Sequence, residues 1–228
     1  MATKAIIYQI YFDDKTKGFI NPVAIPLDNT WQESNPLQPA FENHIIQNVI
    51  KYDNNLDCDY LGILSWQFET KNSYKLSKIH DDIEKYSNHD IYSFYKGHTQ
   101  PNIWRVAEGW HKGIIETSQY IFDRFNGIKI ANINTPIIYQ NAHISRTELY
   151  KDYVNSWLNP LMEIMFDEED KKLQKMLWID TKYKSYSLNR DKISKITGVP
   201  YYPMHTFICE RFFSTYCAVN NPKIKQLC

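Results

Sequence analysis

Two aspartates separated by one residue, Asp57 and Asp59, form the sharpest chemical signal in the chain. Carboxylate oxygens at this spacing are hard ligands that suit Mn²⁺ or Mg²⁺, and a cation held there can bridge to a diphosphate and offset charge on a leaving group. The pair precedes a strongly apolar run instead of following it, and an aspartate before a strand is often a solvated turn residue. A metal site and a solvated turn are both open at this stage.

Polar and aromatic side chains follow the two most strand-like runs. Asp13 and Asp14 come after the first run, and Ser65, Trp66 and Gln67 end the second. Ligands of wound sheets bind beyond the carboxyl ends of the strands, so these are the places where we expect a binding site. Hydrogen bonds and ring stacking there can hold a small molecule. The alternative is that Trp66 belongs to the core and its neighbours form a loop.

A third group of polar residues lies in an extended stretch that leads into a helix. Asn141, His143 and Ser145 alternate along this stretch, so they point to one side of a strand. The helix that begins near Thr147 offers free N–H groups and a positive dipole end to an anion. His143 can act as an acid, a base or a hydrogen-bond donor, although a single histidine often has only a structural role.

A fourth candidate is Glu210, which stands beside Arg211 in the last predicted helix. The pair fits either a structural ion pair or a carboxylate base that faces a cleft. Gly-rich phosphate loops and the GxGxxG and GxSxG motifs are absent from the sequence, which has only seven glycines. This disfavours the common dinucleotide and ATP enzymes.

The composition is that of a globular protein without a strong charge. Lysine plus arginine equals aspartate plus glutamate at 26 each, which argues against a dedicated nucleic-acid binder. The four cysteines form no CxxC pair, the amino-terminal residues do not form a signal peptide, and no run is long enough to span a bilayer. These features favour a cytoplasmic protein with reduced thiols.

Strand and helix patterns alternate through most of the 228 residues. Strands are predicted at 5–12, 57–68 and 89–95, extended pieces at 20–27, 128–133 and 136–145, and helices at 36–52, 75–86, 108–126, 147–158 and 206–219. This alternation predicts a single α/β domain, residues 1–228, with a mostly parallel central sheet flanked by helices. The polar stretch 167–198 is predicted to be a surface excursion.

Several segments occur in a family-like order: Asn35-Pro36 with Glu42, then 59–66, 139–145, 150–154 with Trp157 and Leu158, and finally 207–213. In this order they resemble a family of small bacterial and phage-encoded glycosyltransferase-like proteins associated with capsular-polysaccharide and lipopolysaccharide synthesis. Such proteins usually carry His-Tyr-Arg-Arg where this chain has Ser65-Trp66-Gln67-Phe68. Two arginines suited to a donor diphosphate are therefore missing.

The resemblance implies a GT-A-like fold, a nucleotide-diphospho-sugar donor, and a glycan or another hydroxyl compound as acceptor. The residue roles that follow are Asp57 and Asp59 for Mn²⁺ or Mg²⁺, Asp13 and Asp14 near the nucleotide, Ser65, Trp66, Gln67, Asn141 and Ser145 at the substrate, and His143 or Glu210 as the base. In the expected reaction the acceptor hydroxyl lies in line with the anomeric carbon, and cations or dipoles stabilise the departing diphosphate.

Two other classes of function are open. A catalytically inactive carbohydrate-binding or phage structural protein on the same fold is favoured by the missing arginines. A phage enzyme that glycosylates nucleic-acid bases would need a basic face, for which the candidates are Lys171, Lys172, Lys175, Lys182 and Lys184. Acidic residues are interspersed with these lysines, so the pattern favours a solvated face over a nucleic-acid-binding one.

Overall fold

The computed structural model of the protein describes residues 3–30, 37–53, 56–94, 102–136, 138, 141–183 and 189–227. Its strands are β1 (Ala5–Tyr11), β2 (Ile25–Asp28), β3 (Tyr60–Ser65), β4 (Ile91–Ser93), β5 (His143–Arg146) and β6 (Ile224–Gln226). Its helices are α1 (Asp14–Lys17), α2 (Glu42–Tyr52), α3 (Phe68–Asn72), α4 (Ile79–Lys85), α5 (Ile103–Glu108), α6 (Ile114–Phe125), α7 (Thr147–Tyr153), α8 (Asn159–Met165), α9 (Lys171–Leu177), α10 (Arg190–Thr197) and α11 (Met204–Asn220).

The two most apolar runs of the sequence form neighbouring parallel strands. β1 and β3 pair from Ala5 and Tyr60 to Ile10 and Ser65. The full sheet has the order β2-β1-β3-β5-β4-β6, and β5 is antiparallel to both of its neighbours while the other three pairings are parallel. The expected α/β class, with a mixed, mostly parallel sheet flanked by helices, is therefore confirmed.

Both faces of the sheet are covered, as the continuous apolar character of β3 predicts. Leu61 and Ile63 point into the larger core, which packs against α2, α5–α8 and α11. Tyr60 and Leu64 point into a smaller core on the opposite face, together with residues of α3 and α4. Since side chains alternate along a strand, Ser65 lies on the same face as Ile63, below α2 and α11.

Several predicted elements differ from the observed ones. Of the predicted helix 108–126, only Ile114–Phe125 is helical, as α6, because Gly113 has a φ of 86° and a helix does not continue through that conformation. α5, which ends at Glu108, was not predicted. The predicted extended piece 128–133 contains a 3₁₀ turn, Ile130–Asn132. α2 begins at Glu42, and the predicted cap at Asn35-Pro36 lies outside the described residues. Pro160 lies in the first turn of α8, where a proline is tolerated.

The stretch 167–198 is more closely attached than a surface excursion. Leu173 and Leu177 of α9 are fully buried, and Ile193 and Ile196 of α10 are nearly so. A spacing of three or four residues places each pair on one helix face, so two anchors per short helix are enough to dock it. The many charged residues between the anchors conceal this pattern in the sequence.

Gly62 allows β3 and β5 to approach closely. A Cβ atom at this position would lie 2.7 Å from Cγ1 of Ile144, its partner in β5. Real Cβ atoms do not make so short a contact, so any side chain here must displace Ile144 or the strand.

We expect Gly62→Ala to lower the free energy of unfolding by about 1–3 kcal/mol because of this overlap. The loss should be smaller in an Ile144→Ala background, where Cγ1 is absent, and urea unfolding of the four proteins measures the coupling. Gly109→Ala is the matched control, because its Cβ would make only an ordinary contact, 3.5 Å from the Val106 carbonyl. An equal cost of Gly62→Ala in both backgrounds would contradict the explanation.

Candidate functional site

A cavity of about 520 Å³ opens at the edge of the sheet where β1 and β3 end. Phe12, which follows β1, and Ser65, the last residue of β3, both line it. The chain leaves β1 for β2 on one side and returns to β3 on the other, so the two strands flank the topological switch point of the sheet. Asn141, just before β5, reaches the same edge because β5 is antiparallel to β3.

Three helical regions and three further side chains complete the cavity wall. Most of the lining comes from the start of α2, from the end of α5 with the turn after it, and from the first half of α11: Phe41, Glu42, Asn43, Val106, Trp110, His111, Thr206, Phe207, Glu210 and Arg211. The α11 residues come in pairs one turn apart, and a helix presents such pairs on one face. Lys71 reaches the cavity from α3, and Tyr183 and Tyr202 complete the lining.

Glu42 is half-buried at the first position of α2. Burial raises the pKa of its carboxyl group to about 7, and the charge of Glu210 adds to this effect. The positive charge of Lys71 and hydrogen bonds to the side chains of Asn141 and Ser65 oppose the rise. A carboxyl group with a pKa near 7 can both take up and release a proton at neutral pH.

Glu210 is the second carboxyl group in the cavity. Burial raises its pKa, while the charges of Arg211 and Lys71 act in the opposite direction. Arg211 Nη1 lies 3.6 Å from Glu210 Oε2 and also donates a hydrogen bond to the Phe207 carbonyl oxygen. The cavity therefore holds two carboxylates and two cationic side chains within mutual electrostatic reach.

One end of the cavity is aromatic. The rings of His111 and Phe207 stack with their centroids 3.8 Å apart, and Tyr183 lies 5.1 Å from Phe207. Trp110, at the same end, is 78% exposed. Burial of the His111 ring and the nearby charge of Arg211 lower the pKa of His111 to about 4, so this imidazole is neutral at pH 7.

Two lining residues have unusual backbone conformations. Phe41 has a φ of 51° with a ψ of −122°, and Asn141 has a φ of 55°. Asparagine adopts positive φ readily, but a phenylalanine there is strained. Such strain is often found at binding and catalytic sites, where the surrounding structure enforces it.

Three of the residues that the sequence indicated line the cavity: Ser65, Asn141 and Glu210. Glu42 and Lys71 were not proposed as catalytic or binding residues. The sequence offered one indication for each residue. Glu42 lies in a segment that carries the family resemblance, and Lys71 lies one helical turn beyond Gln67, a predicted site residue. Neither signal identifies a site until the orientation of α2 and α3 is known.

Four other predicted residues lie near this edge of the sheet but do not line the cavity. Trp66 stacks on Phe19 with ring centroids 5.5 Å apart, and Gln67 precedes the first turn of α3. The Asp13 carboxylate caps α1 by accepting a hydrogen bond from the Thr16 amide, 2.8 Å away. Asp14 is exposed in the first turn of α1. Each of these four residues therefore has a local position in the fold that is separate from the cavity lining.

Asp57 and Asp59 lie at the opposite edge of the sheet, because they precede β3 while the cavity lies beyond its end. Asp57 is fully exposed and its carboxylate is 3.5 Å from Lys4 Nζ, and Asp59 Oδ2 accepts a hydrogen bond from the Lys4 amide. The described part of the chain contains no group of three or more His, Cys, Asp or Glu residues that could hold a metal ion. The pair therefore does not fit a cation that bridges to a diphosphate in the cavity.

His143 and Ser145 lie in the core behind the cavity. His143 is 1% exposed and stacks on Phe213 at a centroid distance of 3.8 Å, and burial lowers its pKa to about 3. Its ring nitrogens and the Ser145 hydroxyl have no hydrogen-bond partner among the described residues. Neither side chain lines the cavity.

Comparisons of the chain with protein-family models, with curated proteins and with solved structures gave no match. None of the helices that the structure describes is long and apolar enough to cross a membrane.

We expect His143→Phe to remove a pH-dependent loss of stability. The unfolded histidine binds a proton below about pH 6.5 while the folded one remains neutral to about pH 3, so the wild-type protein loses stability as the pH falls through this window. Between pH 7.5 and pH 5 this effect lowers the free energy of unfolding of the wild-type protein by about 2 kcal/mol. The variant should not show this loss when urea unfolding is measured at the two pH values. His80→Gln, at an exposed position, is the control.

Glu42→Gln should have the opposite pH dependence. Because the folded pKa of Glu42 lies above its unfolded value of 4.5, the wild-type protein loses stability as the pH rises from 4.5 through 7. The variant does not titrate, so its stability relative to wild type should increase between pH 5 and pH 8 in thermal unfolding. Glu84→Gln is the exposed control. A constant difference across this range would show that the Glu42 pKa is not raised.

Proposed function

We propose that the protein is a glycosyltransferase of GT-A-like fold that moves a sugar from a nucleotide-diphospho-sugar to an acceptor hydroxyl in this cavity. The observation that carries the proposal is the juxtaposition of Glu42 and Glu210 with Lys71 and Arg211 at the switch point of the sheet. A transfer of this kind needs a base that works at neutral pH and positive charge for the leaving diphosphate, and the cavity supplies both.

Lys71 and Arg211 are our candidates for binding the donor diphosphate. They stand in for the two arginines that the resembling proteins usually carry after this strand and that this chain lacks. Arg211 is nearly buried and held by Glu210 and the Phe207 carbonyl group, whereas Lys71 is exposed at the rim. A fixed guanidinium and a mobile ammonium suit a group that must be bound and then released.

In the proposed step, the acceptor oxygen attacks the anomeric carbon from the side opposite the diphosphate. A bond forms between this oxygen and the anomeric carbon while the bond to the diphosphate oxygen breaks, and the bonding pair leaves with the diphosphate. The Glu42 carboxylate accepts the proton of the acceptor hydroxyl. Ser65 and Asn141 orient Glu42 through their hydrogen bonds, and Glu210 holds Arg211 in place.

The nucleic-acid alternative has less support. Lys182 Nζ lies 2.7 Å from an Asp180 oxygen, Lys171 Nζ donates to the Glu168 carbonyl group, and Lys172 lies over the Tyr120 ring. Lys175 is exposed, and Lys184 lies outside the described residues. Since acidic groups stand among these lysines, this surface does not present a basic stripe of the kind that follows a phosphate backbone.

A thermal-shift screen of nucleotide-sugars, with and without Mn²⁺, followed by assays of nucleotide release, tests the proposal. We expect Glu42→Gln to lower kcat by about 100-fold or more with little change in KM, because a general base contributes about that much. Lys71→Met should mainly raise the donor KM. Glu84→Gln and Lys78→Met, both at exposed positions, are the matched controls.

Three outcomes would count against this function. Full turnover by Glu42→Gln would remove the proposed base, and the absence of any bound or hydrolysed nucleotide-sugar would remove the donor class. Binding of a nucleotide-sugar without turnover would favour the catalytically inactive carbohydrate-binding protein on the same fold.

A further inference from the structure

Trp110 is the most exposed large hydrophobic side chain among the described residues, at 78%. It lines the cavity, so the exposed indole is a wall of a binding site and not an isolated surface residue. Leaving an aromatic ring in water forgoes the free energy of its burial, which a ligand that covers the ring recovers.

The turn that carries Trp110 is firmly held. The amides of Trp110 and His111 both donate to the Ala107 carbonyl oxygen, at 2.9 and 2.8 Å. The Glu108 carboxylate accepts hydrogen bonds from the amides of Gly113 and Ile115, at 2.7 and 2.9 Å. The indole therefore projects from a backbone that is fixed before any ligand binds, which lowers the entropy cost of binding.

The charged and aromatic groups of the cavity lie close to one another. Lys71 acts on both Glu42 and Glu210, and Glu210 is paired with Arg211. Arg211 in turn acts on His111, which is the neighbour of Trp110 in the chain. The rings of His111 and Tyr183 both contact Phe207, with centroid distances of 3.8 and 5.1 Å, and Phe207 lies one turn before Glu210 in α11. Together with Trp110 these three residues form the aromatic end of the cavity, which adjoins the charged groups.

The two ends suit different parts of the reaction. Nucleotides bind at the switch point of a wound sheet, which here is the end with Phe12 and Ser65. The aromatic end offers a neutral imidazole, a phenol and an indole face, and these suit an uncharged ligand with both apolar faces and hydroxyl groups. A pyranose ring has this character, with C–H faces for stacking and hydroxyl edges for hydrogen bonds.

We infer that the aromatic end of the cavity is the acceptor subsite, that the acceptor is a carbohydrate, and that a sugar ring stacks on Trp110. This inference rests on the proposed function, because it places the acceptor opposite the donor with Glu42 and Glu210 between them. It narrows the acceptor from any hydroxyl compound to a glycan.

Two separate measurements on wild type, Trp110→Ala, Trp110→Phe and Tyr52→Ala test the subsite. Saturation-transfer NMR with a panel of methyl glycosides of common hexoses and N-acetylhexosamines reports acceptor binding. Hydrolysis of the nucleotide-sugar by water, with no acceptor present, reports the donor site. Tyr52 is the control because it is an exposed aromatic residue, at 64%, outside the cavity lining.

We expect at least one glycoside to bind wild type, and Trp110→Ala to weaken that binding about tenfold, which corresponds to the loss of one aromatic stacking contact. Trp110→Phe should restore part of the affinity, and Tyr52→Ala should match wild type. Tyr52→Ala should leave the donor KM in hydrolysis as in wild type, because Tyr52 lies outside the cavity lining. In Trp110→Ala the glycoside affinity should fall by a larger factor than the nucleotide-sugar affinity.

The outcomes separate this inference from the proposed function. A weaker nucleotide affinity in Trp110→Ala, with unchanged glycoside binding, would mean that the indole stacks on the donor base and would overturn the acceptor subsite. Failure of every glycoside to bind wild type, while the nucleotide-sugar is still hydrolysed, would overturn the carbohydrate acceptor alone. Failure of hydrolysis as well would reject the proposed function itself.

Discussion

The parallel pairing of β1 with β3 is the constraint on which the cavity depends. Six consecutive residue pairs fix the register, so the two strands end together and present Phe12 and Ser65 at one edge. The same register sets which side chains face α2 and α11, because a shift by one residue would turn Ser65 away from Glu42. The pairing of β1 with β3 along their whole length thus determines where Ser65 lies and that it faces Glu42, with which it forms a hydrogen bond.

Packing on the larger core determines the chemistry above this floor. Burial raises the pKa of Glu42, and the same desolvation keeps its neighbour Tyr150 protonated, with the charge of Glu42 adding to the effect. His143 and Ser145 lie behind them as buried polar side chains, and Phe41 has a strained backbone at the start of α2. Each of these features costs stability, and together they are typical of a region shaped by a requirement other than folding.

The local parts of this arrangement could be predicted from the sequence, and the long-range parts could not. Continuous apolar runs identify β1 and β3, and the rule on strand ends points to Ser65. The approach of Glu42, Lys71 and Trp110 depends on how α2, α3 and α5 pack on the sheet, which no local pattern encodes. The break at Gly113 is a further example, because a helical hydrophobic pattern continues across a glycine that the backbone uses to turn. By contrast, the sequence alone places Asp57 and Asp59 before β3, and this position puts them at the end of the sheet that is remote from the cavity.

The proposed function requires the cavity to bind an anion and still provide a base, and the balance of its charges bears on both requirements. Lys71 and Arg211 balance the charges of Glu42 and Glu210 when both carboxyl groups are ionised. Because the pKa of Glu42 is about 7, protonation of this group changes the net charge of the cavity near neutral pH. In the proposed function, a diphosphate that binds Lys71 withdraws the positive charge that lowers the pKa of Glu42, so this pKa rises and the carboxylate becomes a stronger base. Fewer molecules then carry the ionised form, and the gain in base strength must exceed that loss. This holds only while the pKa stays close to the working pH, because each further unit of pKa removes about tenfold of the ionised form and raises the reactivity of the remainder by less than that.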